Sequence, residues 1–281
     1  MYVVGGHGYV GSRVVDFAFR RGTEANVVSR DGDDRCGMPS LAWAEFIAQL
    51  GAGVGINSVV WLLDGAKHNE LDRIGELLDV ADERLYVAAV STATVYGDQA
   101  GRPCDESTAS RPVTKHAEVK ASCEAALLAA PVQAGILRFG ALYGPDNRKV
   151  RSDRVEKWVT EAATHGTVTV PEPSHWRGWL NKDQGARALF RAADGRIPGI
   201  FNVATSNYRF GDAAGFAAKL FDAKVQSDGK PDPMNYMMIA ERARQAGLLD
   251  EGPGESLAET VDAFAKSTDR SGPDNPAEAN G

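Results

Sequence analysis

The sequence predicts an α/β protein built on a doubly wound parallel sheet, with a smaller lobe towards the C-terminus. Three observations predict it. Short apolar runs alternate with amphipathic helical runs along roughly the first two hundred residues. The apolar runs are continuous rather than alternating, as in strands covered by helices on both faces. The first strand also passes into the first helix through a glycine-rich turn, GGHGYVG at 5–11.

Each element follows in order. YVV (2–4) is a strand stopped by glycines. GSRVVDFAFRRG (11–22) places Val14, Val15, Ala18 and Phe19 on one helical face and stops at Gly22. ANVVSR (25–30) is the second strand, and LAWAEFIAQLG (41–51) reads as the next helix. SVVWLLD (58–64), a helix over 69–81 and the strand RLYVAAVST (84–92) follow. A long helix is expected over 113–130, ended before Pro131, then the buried strand AGILRFGALYG (134–144). A helix near 153–165, a strand at 167–170, a helical segment at 183–194 and the strand GIFNVAT (199–205) complete the pattern, and the chain beyond reads as mostly helical.

Composition narrows the function. The chain has 281 residues, 43% of them hydrophobic, enough for one large core with a small lobe. A net charge of −7 argues against binding nucleic acid or an anionic membrane surface, and the local basic run at 146–158 does not outweigh it. Three scattered cysteines (Cys36, Cys104, Cys123) without CxxC spacing predict neither a disulfide framework nor a metal site, and a reducing cytoplasm fits them. No apolar run reaches the roughly 18–20 residues of a membrane span, and MYVVGG reads as strand and turn rather than leader. The expected partner is a small-molecule substrate, and the sequence leaves a homodimer open.

The turn after the first strand carries Gly5, Gly8 and Gly11, with Tyr9 and Val10 between the last two. Glycine first allows the tight turn, then the approach of backbone to a pyrophosphate, then close packing of helix on strand; the helix N-terminus offers its N–H groups to the phosphates. The fold expected is therefore of Rossmann type. Arg30 ends the second strand, where an arginine accommodates the 2′-phosphate of NADP and an acid would bind the ribose of NAD. NADP(H) is expected in preference to NAD(H), although a solvated arginine ahead of Asp31, Asp33 and Asp34 is the plainer reading of the same residue. His7 reads as incidental.

The GxxGxxG spacing, with GGHGYVGS around it, resembles the extended short-chain dehydrogenase/reductase family, of the NAD(P)-dependent epimerase/dehydratase type. VSTATVYG (90–97) is similar to that family's active-site serine/threonine segment, which implies that Thr92 hydrogen-bonds the substrate oxygen. Thr94 and Tyr96 on this segment are substrate-side candidates, although a tyrosine at the place of Tyr96 is more often a packing residue in that family. The family's next landmark is a tyrosine and lysine four apart on one helical face. Here RPVTKHAEVKAS (111–122) keeps the lysine as Lys120 and puts His116 in the place of the tyrosine. The resemblance implies that Lys120 bonds the nicotinamide ribose. Three readings of His116 stay open: it is the general acid/base, chemically able with a pKa near 6.5; water, substrate or Tyr96 moves the proton; or catalysis has been lost.

On the same resemblance Phe139 to Leu142 line the cofactor, and the segment HWRGWLNKDQGARAL (175–189) brings Arg177 to a substrate phosphate, although it could equally serve a carboxylate or simply pair with an acidic neighbour. Trp179, like Trp176, reads as core or pocket wall, with stacking on a ring substrate as the sharper alternative, and Asp183 falls on an acidic position of that segment. The family's third strand and its adenine-binding GD turn find little room between Arg30 and Val59. The division expected is one domain over 1–266: a cofactor part of about 1–145 and 183–205, and a substrate lobe of about 146–182 and 206–266. A disordered tail is expected over 267–281. The activity implied is an NADP(H)-dependent oxidoreductase or epimerase/dehydratase acting on a hydroxyl or carbonyl of a small polar metabolite, such as a sugar, nucleotide-sugar or natural-product intermediate. A cofactor-binding sensor or scaffold, or a non-redox enzyme reusing the pocket, is the alternative.

Overall fold

A computed structural model describes residues 1–34, 37–65, 68–145, 153–250 and 256–269. The chain begins β1 (Tyr2–Val4), α1 (Gly11–Arg20), β2 (Asn26–Ser29), β3 (Ser40–Ala42), α2 (Trp43–Gly51), β4 (Ser58–Trp61), α3 (Glu70–Val80) and β5 (Tyr86–Thr92). A 3₁₀ turn (Ala93–Tyr96) leads into β6 (Asp98–Cys104), α4 (Lys115–Ala129), β7 (Gln133–Phe139) and β8 (Ala141–Tyr143). Then come α5 (Arg154–His165), β9 (Thr167–Val170), β10 (Trp176–Asn181), α6 (Lys182–Gly195) and β11 (Gly199–Val203). The last elements are β12 (Ser206–Arg209), α7 (Phe210–Leu220), β13 (Lys224–Ser227), β14 (Asn235–Met238), α8 (Glu241–Gln245) and α9 (Leu257–Asp269).

Seven of these strands form one parallel sheet in the order β11-β7-β5-β4-β1-β2-β3. The order reverses between β1 and β4, and in open α/β sheets ligands bind outside the carboxyl ends of the strands at that switch. Because each strand is covered on both faces, two cores result. One packs Val3, Val14, Ala18 and Val60 against Leu189 and Phe190 of α6; the other packs Val4, Val28, Val59 and Ile136 against Phe46, Ile74, Leu77 and Leu127 of α2, α3 and α4. A third apolar cluster, with Trp158, Val159, Trp179, Phe210 and Phe264, holds the C-terminal lobe together.

The structure corrects four expectations. There is a third strand: β3 pairs in parallel with β2 at the sheet edge, and only from Trp43 does the expected helix begin. Phe19 is 83% exposed, because α1 packs on α6 through Val14 and Ala18 and turns its last residues outward. The C-terminal third is less helical than expected, since β14 returns to pair with β6 and β13 pairs with β9. Residues 267–269, expected in a disordered tail, belong to α9, which continues to Asp269; residues 270–281 lie outside the described residues, as does most of the basic run, 146–152. No helix among the described residues is long and apolar enough to cross a membrane.

Candidate active site

The carboxyl ends of β1, β2, β4 and β5 open on one cleft of about 1390 Å³. That is larger than the roughly 300–1,000 Å³ that suits one drug-sized ligand. The C-terminal lobe closes its far side through Phe210, Asp232, Met234 and Tyr236.

The glycine turn forms one wall. Gly5 has φ +82°, a conformation that L side chains rarely adopt, and a Cβ at Gly11 would lie 2.3 Å from the Gly5 carbonyl oxygen. Two backbone segments therefore touch where α1 begins. Val10 at the helix N-cap supplies no side-chain cap, and the first turn holds no acid. A helix start without either is suited to a phosphate, so the turn fits the dinucleotide that its spacing implies. Tyr9 lines the same cleft. It is buried, and its hydroxyl lies 2.8 Å from the Gly144 carbonyl and 3.0 Å from the Asp153 carboxylate, tying the turn to the start of the lobe.

Arg30 lies exposed at the cleft mouth. Asp33 faces the same mouth but is engaged: the Ser29 hydroxyl donates to it at 2.8 Å, and His7 Nδ1 lies 4.0 Å away. His7 Nε2 lies 2.8 Å from the Met38 carbonyl, so this histidine braces the loop after β2. Beyond it, Trp43 and Arg73 line the cleft, with the guanidinium 5.3 Å from the indole centroid. These stand on the side where the sequence left the adenine contact unassigned.

Thr92 ends β5 on the cleft, and its Oγ1 caps the 3₁₀ turn by accepting from Thr94 N at 3.2 Å. The two threonine hydroxyls lie 3.0 Å apart. If Thr94 donates in that contact, the Thr92 hydrogen remains for a ligand oxygen. Tyr96 takes no part in the cleft, which corrects its assignment to the substrate. It is fully buried, its oxygen 2.7 Å from Asn202 Oδ1 and 2.9 Å from the Asp105 carbonyl, and it accepts from Arg138 at 3.0 Å. Burial pushes the phenol above its ordinary range, so it is a poor proton donor or acceptor at neutral pH.

Helix α4 begins at Thr114, whose hydroxyl accepts from Ala117 N at 3.2 Å, and its first turn carries His116 to the cleft. His116 Nδ1 lies 3.2 Å from Asp64 Oδ1. Burial, and after it the Lys120 ammonium, hold the imidazole below its ordinary 6.5, against the opposing pull of Asp64 and Glu70. Lys120, one turn on, is 3% exposed. Its Nζ donates to the Leu63 carbonyl, to Glu70 Oε1 and to the Val90 carbonyl, each at 2.8 Å. An ammonium has three donors, and all three are engaged. Lys120 lines the cleft, yet here its donors all meet protein acceptors rather than standing free for the ribose that the resemblance assigned to it. Its partner Glu70 is buried and also accepts from Trp61 Nε1 at 2.9 Å. Breaking such a buried pair from one side costs about 3–5 kcal/mol.

On the far side, Phe139 and Leu142 line the cleft. Arg177 lines it too, but its guanidinium is buried against Asp232, the Met234 carbonyl and the Tyr236 ring, so it secures the segment that forms the wall. Trp179 does not stack on a substrate: it is fully buried between Trp158 and Phe210, in the lobe core, and so takes the core reading. Asp183 accepts from Arg13 at 3.0 Å and joins α6 to α1. Asp64 and Glu70 are the residues that the sequence reading missed. Asp64 closes the run SVVWLLD, and the rule that ligands meet the carboxyl ends of strands was the available signal. Among the described residues no cluster could hold a metal ion.

The comparisons agree with this fold. Residues 69–204 match the model of the NAD dependent epimerase/dehydratase family. Among solved structures the fold is similar to UDP-N-acetylglucosamine 4-epimerase from Bacillus cereus, with TM-score 0.73 and 20% identity over 98% of each chain. It is similar to UDP-glucose 4-epimerase from Thermotoga maritima with UDP-glucose, with TM-score 0.76 and 18% identity over 95% of this chain and 99% of that one. It is also similar to dTDP-glucose 4,6-dehydratase from Bacillus anthracis in complex with NAD, with TM-score 0.75 and 18% identity over 95% and 97%. No curated protein matches the chain.

Proposed function

From the match of residues 69–204 to the NAD dependent epimerase/dehydratase family, we propose that the chain is an NADP(H)-dependent oxidoreductase or epimerase/dehydratase acting on a hydroxyl or carbonyl of a small polar metabolite. The observation that carries this reading is the single cleft shared by the glycine turn, Arg30, Thr92 and His116. A bound nicotinamide would supply the two-electron hydride chemistry. Thr92 donates to the substrate oxygen, and His116 takes the hydroxyl proton when that carbon is oxidised and returns it when the carbonyl is reduced. A neutral imidazole is the right starting form for the first direction. The preference for NADP(H) is supported by Arg30, exposed at the mouth, while Asp33 is already held by Ser29. Two buried free thiols, Cys104 and Cys123, pushed up to about 11 and about 12 by burial, suit a reducing cytoplasm.

One observation favours a second reading, a dinucleotide-binding protein without turnover: the usual phenol is absent and Lys120 is engaged elsewhere. One experiment separates the two. NADPH and NADH are titrated into the protein by calorimetry, and nicotinamide absorbance is then followed with a panel of sugars, nucleotide-sugars and small carbonyls. Binding with turnover, reduced roughly 10²–10⁴-fold in His116→Ala at unchanged dinucleotide affinity, is the expected result. Binding without turnover selects the second reading, and absence of binding overturns both.

A further inference from the structure

We propose that Asp64 is the positioning partner of His116, and that Lys120 serves to hold Asp64 in place rather than to meet a ligand. The inference rests on the reading of His116 as the acid/base of the cleft. Asp64 Oδ1 lies 3.2 Å from His116 Nδ1. A carboxylate there selects the tautomer with its hydrogen on Nδ1 and leaves the Nε2 lone pair for a ligand proton. No protein group among the described residues bonds His116 Nε2. The pair joins two elements, the loop after β4 and the first turn of α4, so its geometry depends on what fixes that loop.

Lys120 fixes it. The ammonium accepts no ligand role because its donors grip the loop from both sides of Asp64: Leu63 immediately before it, and Glu70 at the start of α3. The third bond, to Val90, joins the loop to β5, two residues before Thr92. Trp61 of β4 secures Glu70 in turn. Gly65, next after Asp64, is buried against α4: a Cβ there would lie 3.3 Å from Val119 and 3.5 Å from the His116 carbonyl. The turn thus presses on the helix between His116 and Lys120, and both threonine and histidine are referred to one buried charge. The helix that carries a lysine four residues after the acid/base still needs that lysine, but as a clamp.

Long-range nitrogen–proton spectra of the full-length protein test this, with His116 identified by its loss in His116→Gln. The wild type should show His116 protonated on Nδ1 at alkaline pH. Asp64→Ala, altering a half-exposed side chain, should move it to the Nε2–H form without weakening NADPH. Lys120→Met should show the same tautomer change with NADPH affinity retained. Should that variant fail to fold, the wild-type Lys120 ammonium signals decide: they should exchange slowly and keep their positions when NADP⁺ is added. Nε2–H in the wild type, an unchanged tautomer in Asp64→Ala, or Lys120 signals that shift strongly with NADP⁺ would each overturn the proposal. Those results speak to the dyad alone. Correct tautomers in a protein that turns over no substrate would instead remove the functional reading.

Discussion

At His116 the local charges set a direction for pH. Burial and Lys120 disfavour the imidazolium more than Asp64 and Glu70 favour it, so the folded pKa lies below the ordinary 6.5. The fold therefore prefers the neutral ring: the stability this adds is present above pH 6.5 and is lost as pH falls through the lowered value. For oxidation of a hydroxyl, the acid limb of kcat/KM should be centred below pH 6.5. An acid limb centred above 6.5 would show that another group governs the step. Arg30 is tested separately: Arg30→Ala should weaken NADP(H) far more than NAD(H), and equal losses would end its assignment to the 2′-phosphate. Thr92, the glycines and the register of His116 were legible in the sequence because motifs record backbone positions. For Tyr96, Arg177 and Trp179 the sequence offers both pocket and packing, because a motif does not record which way a side chain leaves the backbone, and each joins a buried network. Asp64 and Glu70 were hidden because their partners lie on a distant helix, with only tertiary packing to bring them together.

At the level of elements, the site depends on where α4 starts. Thr114 accepts from Ala117 N, and His116 stands in the turn this cap secures. Thr114→Ala should lower unfolding stability by about 1 kcal/mol, within about 0.5–2, measured by urea denaturation. Because the lost cap frees the first turn, the Asp64–His116 contact should loosen as well, and the tautomer of His116 reports it. Helix α4 is tied from below by Glu124, which accepts from Arg138 of β7 at 3.0 Å and also from Ser91 of β5. That network explains why Tyr96 is needed inside. Its hydroxyl accepts from the same guanidinium, so strand, turn and helix are fixed to one another behind Thr92. Helix and strand types were legible throughout this region from periodicity. The edge strand β3 was not, because three residues give no period and the chain passes straight from Ala42 into a helix.

For the whole molecule, the cleft lies between the parallel sheet and the lobe, and Tyr9 links the two by reaching from the glycine turn to Gly144 and Asp153. A dinucleotide bound there would touch only the folded chain, and a ligand at a hundred times its Kd raises stability by about 2.7 kcal/mol. Saturating NADPH should therefore raise the thermal midpoint, and the rise should grow with the logarithm of ligand concentration. Gly11 is where this can be cut. A Cβ at that position meets backbone on the opposite strand of the turn, the Gly5 carbonyl at 2.3 Å and Gly6 Cα at 2.8 Å, and backbone cannot rotate aside as a long side chain would. Gly11→Ala must therefore push α1 away from β1, moving the N–H groups that would hold the pyrophosphate. The variant should unfold at a lower temperature without ligand and gain little on addition of NADPH, as scanning calorimetry across a concentration series would record. A variant that is destabilised yet keeps the full ligand-dependent rise would show that the dinucleotide is not held by this turn.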